Sequence, residues 1–566
     1  MQNRNKTTIN LYRSCEAQKL HTAIINYIMT DNQEVLDYIY QEDELLAFKE
    51  LSVNGHSHVL DVLRLPFEKH KGDQKLAKDR SLTIFKLLIN KAENYPGLLR
   101  SFLIVSNNAG FTPLHQSLIS KQKDIVVFYF EALVKACARG IVNQEEYKNL
   151  LIKANRDGFT PLHEALISGQ KDILDIYFAK IIEAVKKNII NQEEYKNLLI
   201  QPNLDGFTPL QQALKSGQKE NVALYLDKLV TAVEQSIVKK NEYKNLLIQP
   251  NRDGFTSLHE VLISGQKENG VLYFERLLKA VEEGIVNQEE YKNLLIQANR
   301  AGFTPLHEAL KSGKKENVAL YFDKLIKAVK KNIINQEEYK DLLTKANRAG
   351  FTPLHEVLIS GQKENVALYF DELSKAVEKN IINQEEYKDL LTKANRAGFT
   401  PLHDVLISGQ KENVLIYFDK LFKAVEQGII NQDEYKLLLV KANRAGFTPL
   451  HQAANSNNLE ILKFFFKELE KILDISEIYN ALYARVNVVR QIIPSCQISK
   501  SNAKELNRYL DNLRIKYKHH SAKPYVIPQF SSKRGVTTGT ITSTFNQTNA
   551  STKSKYKIRG VLKYNK

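Results

Sequence analysis

The sequence predicts an all-α protein, an α-solenoid of tandem repeats followed by a disordered C-terminal tail. Three observations carry that prediction. The pair Gly-Phe recurs at Gly110, Gly158, Gly206, Gly254, Gly302, Gly350, Gly398 and Gly446, each 48 residues after the last, and a fixed period of this size marks a repeat architecture. Each copy parses into three helical segments. Residues 512–566 hold twelve Lys and Arg and no Asp or Glu, and from about His519 onward no sustained apolar period is present to build a core.

Four regions follow from these features. Residues 1–105 read as helical, with apolar patterns around Leu20 to Ile39 and around Ser52 to Leu65. They are either worn copies capping the array that follows or a separate helical domain. Residues 106–493 hold eight repeats of 48 residues. Residues 494–518, with SNAKELNRYLDNLRIKYK at their core, suit one amphipathic helix. Residues 519–566 form the basic tail.

A clean copy begins at Gly302. Thr304 is a good N-cap, because its hydroxyl can accept from the free amides of a first helical turn. Pro305 suits the first helical position, where no amide partner is lost. Leu306, Ala309 and Leu310 lie on one helical face, and Ser312-Gly313 ends this short helix. A second helix is expected from about Glu316 to Lys331. Its apolar face is too broad for one neighbour, so it packs on two or more sides. A third starts at Asn335, with Glu338 three residues on as in a capping box, and Tyr339, Leu342 and Leu343 on its buried side. One copy cannot bury all this surface alone, whereas stacked neighbours can.

The segment NRAGFTPLHEALKSGKKENVALYF resembles the core of an ankyrin repeat, whose hallmark is a G-x-T-P-L-H-x-A turn followed by two antiparallel helices. The ankyrin unit is typically about 33 residues. The copies here are longer, through an extended second helix and an added helix, NQEEYKDLL in the copy from Gly302. That added helix either accompanies the usual protruding hairpin fingers or replaces them. Two copies depart from the pattern: Gln211 stands for the histidine and Ser257 for the proline. In the third copy Lys239 takes the place of the capping Asn335, which predicts a frayed third helix there. The last copy diverges after GFTPLHQAANSNNLEILKFFF, as the closing end of a solenoid should.

The composition excludes several classes. The chain is 43% hydrophobic and 25% charged, ordinary for a soluble folded protein. No stretch approaches the roughly 20 apolar residues of a membrane-spanning helix, and MQNRNKTTINLYRS lacks the apolar core of a secretory signal. Only Cys15, Cys137 and Cys496 are present, too few and too far apart for a disulfide framework or zinc motif. A reducing, cytoplasmic compartment is the expectation. The net charge of +16 resides largely in residues 512–566: without their twelve basic groups the rest holds 68 basic against 64 acidic residues, or +4.

No catalytic, cofactor-binding or metal-binding residue is assigned, and the chain is not read as an enzyme. The histidine column, His115, His163, His259, His307, His355, His403 and His451, places its rings about one repeat apart, whereas a metal needs ligands converging at about 2 Å. The resemblance implies that each imidazole hydrogen-bonds backbone at its turn. His56 and His58 have no third ligand in sequence. Glu337 and Glu338 are adjacent helical residues and point to different faces. Neither a phosphate loop nor a nucleophile elbow nor a dinucleotide fingerprint occurs.

A protein-binding scaffold is the function these features predict, with affinity spread over the concave face of a repeat stack. Candidate contacts are Arg156, Arg252, Arg300, Arg348, Arg396 and Arg444, one in each NR-A/D-G turn. The alternative is attachment to nucleic acid or an anionic membrane through the tail, where Lys553, Lys555, Lys557, Arg559 and Lys563 can meet phosphates and the array acts as a spacer. A monomer with a protein partner and no cofactor is expected. Near-identity of the copies suggests recent duplication. Expanded arrays rich in Lys, Asn and Ile resemble proteins that intracellular bacteria deliver into host cells, which implies entry into a host cytosol without an N-terminal signal.

Overall fold

The computed structural model describes residues 14–30, 36–37, 45–50, 55–60, 62–63, 74–483, 508–509, 511–513 and 515–516. Every regular element among them is an α-helix. The chain divides between Tyr291 and Lys292 into two compact units. The first holds the N-terminal helices and the copies from Gly110, Gly158, Gly206 and Gly254. The second holds the copies from Gly302, Gly350, Gly398 and Gly446.

The copy from Gly302 shows how local sequence makes the unit. Its first helix is Pro305–Ser312. The Thr304 hydroxyl accepts from the His307 N–H at 3.4 Å, and His307 Nδ1 accepts from the Thr304 N–H at 3.3 Å. This is a capping box in which an imidazole stands for the usual carboxylate. Gly313, at φ +70°, stops the helix. The second helix, Lys315–Lys330, buries Val318, Tyr321, Phe322, Leu325 and Ala328. It ends at Asn332, φ +53°, and the Ile333 N–H turns back to the Ala328 carbonyl at 2.9 Å, the pattern of a Schellman closure. The third helix, Gln336–Thr344, carries the predicted reciprocal cap: Asn335 Oδ1 accepts from the Glu338 N–H at 2.8 Å, and Glu338 Oε2 accepts from the Asn335 N–H at 2.9 Å. Third helices occupy the connections between copies, and no strand occurs there among the described residues.

Two ladders fix the stacking register. In the first unit the hydroxyls of Tyr129, Tyr177, Tyr225 and Tyr273 donate to the carbonyls of Leu103, Leu151, Leu199 and Leu247 at 2.7–2.8 Å. In the second unit Tyr321, Tyr369 and Tyr417 do the same to Leu295, Leu343 and Leu391 at 2.5–2.7 Å. Each bond satisfies a carbonyl that a preceding third helix leaves free at its C-terminal end. Along the third helices runs a row of ion pairs: Lys148–Glu194, Lys196–Glu242 and Lys244–Glu290, then Lys292–Glu338, Lys340–Glu386, Lys388–Glu434 and Lys436–Glu477, at 2.7–3.4 Å. Such solvent-screened pairs contribute little to stability, so they specify neighbour and register instead. The tyrosine bonds are buried and weigh more. Tyr369→Phe keeps the ring and strands the Leu343 carbonyl, so a loss of about 1–2 kcal/mol is expected in a urea titration. An unchanged midpoint would show the bond to be energetically idle.

The third helix of the third copy is not frayed. It spans Lys240–Ile248, the same nine residues as its counterparts. Lys239 has no oxygen with which to cap, but its N–H still donates to Glu242 Oε2 at 2.8 Å. Burial of Tyr243, Leu246 and Leu247 does the rest, and packing outweighs a missing cap.

At the far end the last copy closes with helices Leu459–Ile472 and Ile475–Tyr483, the latter capped reciprocally by Asp474 and Glu477. Of the predicted helix at 494–518, the described residues are helical; Leu513 is buried and Lys516 pairs with Glu470 at 2.9 Å. The tail, 519–566, lies outside the described residues. At the near end stand helices Cys15–Thr30, Leu45–Lys49, Gln74–Ala92 and Pro96–Ile104.

Candidate protein-binding face

The face begins at the turn before each first helix. In the second unit Asn347 Oδ1 accepts from the N–H groups of Ala349 and Phe351 at 2.9 and 3.0 Å, and the Asn347 N–H donates to the Phe351 carbonyl at 2.8 Å. Gly350, at φ +85°, completes the turn; a Cβ on it would lie 2.7 Å from the Arg396 backbone nitrogen. The next turn therefore seats directly on this one, and no side chain fits between. Seating is reinforced by backbone bonds: the N–H groups of Arg348, Arg396 and Arg444 donate to the carbonyls of Ala301, Ala349 and Ala397 at 3.0–3.1 Å. In the first unit the N–H groups of Arg156, Leu204 and Arg252 donate to Ala109, Asp157 and Asp205 at 3.0–3.3 Å.

All six candidate arginines, Arg156, Arg252, Arg300, Arg348, Arg396 and Arg444, are exposed. The backbones of Arg156, Arg252, Arg348, Arg396 and Arg444 are tied into the turn rows. The tail residues Lys553, Lys555, Lys557, Arg559 and Lys563 lie outside the described residues.

The histidines behave as backbone clamps. His115, His163, His355 and His403 donate through Nε2 to the carbonyls of Phe159, Phe207, Phe399 and Phe447, 44 residues on, at 3.1–3.3 Å. Nδ1 meanwhile accepts from the cap threonine's N–H. Burial holds all four well below the usual imidazole range, at about 4. Gln211 performs the same two tasks: its Oε1 accepts from the Thr208 N–H at 3.1 Å and its Nε2 donates to the Phe255 carbonyl at 3.0 Å. Ser257, in the proline position, donates to the Leu246 carbonyl at 2.9 Å.

The remaining polar candidates have structural partners as well. His58 Nε2 bonds the Ala47 carbonyl at 2.7 Å, and His56 Nε2 lies 3.1 Å from Asn107 Nδ2. Glu337 pairs with Lys340 at 2.8 Å, while Glu338 caps Asn335 and meets Lys292. No group of three or more His, Cys, Asp or Glu placed to hold a metal occurs among the described residues.

Three buried polar columns escaped the sequence reading: the tyrosine ladder, a column of asparagines on the second helices, and a column of carboxyls beside the histidines. Glu164 and Glu356 are buried, and loss of water pushes their carboxyls up to about 8 and about 7. Burial raises Glu308 and Asp404 too. Register could have found the asparagines. Asn221, Asn269, Asn317, Asn365 and Asn413 stand where Ile125, Ile173 and Ile461 stand in the other copies.

Residues 445–476 match the family model for the ankyrin repeat. That stretch is the last copy of the helical repeat array. The matched stretch runs from the Ala445 turn through helices Pro449–Asn455 and Leu459–Ile472, the copy whose second helix is shortest and nearest the usual unit of about 33 residues. The other copies keep the same turn, cap and helix pair and carry a sixteen-residue second helix. A comparison with curated proteins gives no match. Ankyrin repeats generally mediate protein–protein interaction and are generally non-enzymatic.

Proposed function

We propose that this protein is a scaffold that captures a protein partner on the face formed by the turns and first helices of its ankyrin array. The observation that carries the reading is the row of exposed arginines on turns whose backbone polar groups are already used between copies. Such a row is rigid, so a partner meets side chains that need little further ordering, which favours affinity. Residues 55–104 are read as one further copy that caps the array. Gly55 is at φ +75°, Ser57 Oγ accepts from the Leu60 N–H at 3.3 Å, and His58 bonds a carbonyl eleven residues back, as Ser257 does. The composition and repeated expansion support a role as an effector that acts on host proteins in a reducing cytosol.

The test is affinity capture from host-cell lysate with the full chain and with a chain lacking residues 519–566, at about 50 and about 200 mM salt. A partner kept without the tail and at the higher salt is the expected result. Capture that needs the tail and vanishes with salt would move the function to phosphate attachment, which the nine Lys and Arg of residues 519–566, with no Asp or Glu among them, would support.

A further inference from the structure

We infer that the turn row of the second unit is a docking surface for an extended acidic segment of a partner protein, and that the corresponding row of the first unit is not. The inference rests on the scaffold reading and adds the chemistry and place of the contact. The residue after the turn arginine is one of the positions at which the copies of the two units differ.

In the second unit the four turns read Arg300-Ala301, Arg348-Ala349, Arg396-Ala397 and Arg444-Ala445. All four arginines are exposed, and among the described residues none has a side-chain carboxylate partner. Successive arginine backbones are joined through one intervening residue and one hydrogen bond, Arg348 to Ala301, Arg396 to Ala349 and Arg444 to Ala397. Arg348 Cγ lies 3.3 Å from where a Gly302 Cβ would stand, so its stem is laid across the preceding turn. Four unneutralised guanidinium groups thus follow one line at a regular step, and each can accept a carboxylate in bidentate fashion.

In the first unit the same positions read Arg156-Asp157, Leu204-Asp205 and Arg252-Asp253. Leu204 removes one cation, and three carboxylates enter the row. They lie close enough to act on each other: burial holds the Asp205 carboxyl above its usual range, and Asp157 and Asp253 add to it, against the pull of Arg252 and Lys215. That row carries its own counter-charges and offers an acidic ligand as much repulsion as attraction.

A protein segment fits this surface better than a nucleic acid. In the copy from Gly302 the Lys311 ammonium sits 4.7 Å from the Phe303 ring, so this first-helix position looks onto the turn. The next two copies place Ile359 and Ile407 there, 44% and 37% exposed. Aliphatic groups beside a cationic row suit a chain that mixes Asp or Glu with apolar residues.

The experiment uses a full-length parent whose tail residues Lys553, Lys555, Lys557, Arg559 and Lys563 are all replaced by Gln, so that the tail does not compete for the probe. The probe is a fluorescein-labelled peptide of alternating Glu and Leu, followed by anisotropy beside a single-stranded DNA of matched charge. The expected result is binding of the peptide that weakens at least about tenfold in the Arg348→Glu, Arg396→Glu, Arg444→Glu triple variant, the loss of roughly 1.4 kcal/mol or more. In the Arg156→Glu, Arg252→Glu variant it changes less than about threefold. Circular dichroism checks that both variants remain helical, and Arg→Lys at the three positions provides a charge-conserving control that should retain most of the binding. Equal loss in both variants, no binding of the peptide, or tighter binding of the DNA with the same loss would each overturn the inference. Absence of peptide binding while the tail-less chain still captures a lysate partner would sink the acidic-segment inference alone. Peptide binding without array-dependent capture would sink the scaffold reading instead.

Discussion

Replacing Asn221, Asn269, Asn365 and Asn413 together with isoleucine is expected to raise the urea midpoint of the array substantially. All four are fully buried, and both amide atoms of each lack a hydrogen-bond partner. A buried polar group without a partner costs about 1–3 kcal/mol, and an aliphatic side chain in its place adds burial worth a similar amount. Isoleucine is bulkier, and overpacking can cost about 1–3 kcal/mol. The protein itself answers that objection: Ile125, Ile173 and Ile461 occupy the same register in neighbouring copies and are fully buried. Because the sites lie in separate copies without shared partners, their effects should add. A net gain on the order of 1–3 kcal/mol per site is therefore expected. A midpoint that stays or falls would mean that buried water satisfies the amides or that these copies cannot admit the larger side chain.

The asparagines also mark where sequence reading stops. Period, caps and helix order were legible because each rests on local chemistry: Thr304 before Pro305, Gly313 after Ser312, and Asn335 three residues before Glu338 announce the boundaries by themselves. Third helices fall within one residue of expectation for the same reason. Lys239 was misread because a missing cap is a local signal, whereas Tyr243, Leu246 and Leu247 hold that helix from a distance. Tyr321 could be placed on an apolar face, but not its hydroxyl on the Leu295 carbonyl, since that partner is set by how copies stack. Burial of Asn365 depends on the same stacking, and an asparagine after QKE reads in isolation as solvent-facing.

The proposed face was legible to a similar depth. One arginine per turn was evident, and the structure adds what the sequence does not contain: the turns seat on one another through Gly350 and its equivalents, so the arginines form a line. The alanine or aspartate after each arginine was readable as text. Its meaning needed the geometry, because only adjacency in space lets Asp157 and Asp253 act on Asp205.

The histidine and carboxyl columns predict a stability profile that rises as the solution is made mildly acidic, opposite to common habit. His115, His163, His355 and His403 have folded values of about 4 against an ordinary 6.5. Their neutral forms are what the clamps require, so this stability is present above pH 6.5 and is lost as pH falls towards 4, on the order of 3 kcal/mol for each ring. Glu164 and Glu356 run the other way. Their folded values of about 8 and about 7 exceed the usual 4.5, so their contribution is complete below pH 4.5 and is lost as pH rises through 7 to 8. Between pH 8 and 6.5 only the carboxyls respond, and the melting midpoint should climb as acid is added. From 6.5 to 4.5 the two columns oppose each other, and below that the histidines dominate and the midpoint drops. The repeats supply the controls. Gln212 and Gln452 hold the carboxyl position elsewhere, and Gln211 holds a histidine position with both bonds intact. Glu164→Gln with Glu356→Gln should make the limb above pH 6.5 shallower, the remainder belonging to Glu308 and Asp404, and His355→Gln with His403→Gln should soften the limb below 4.5. A midpoint that is level from pH 8 to 6.5 in the unsubstituted chain would refute the carboxyl assignment. An acid limb unmoved by the histidine pair would assign the low-pH loss to the Lys–Glu row on the third helices.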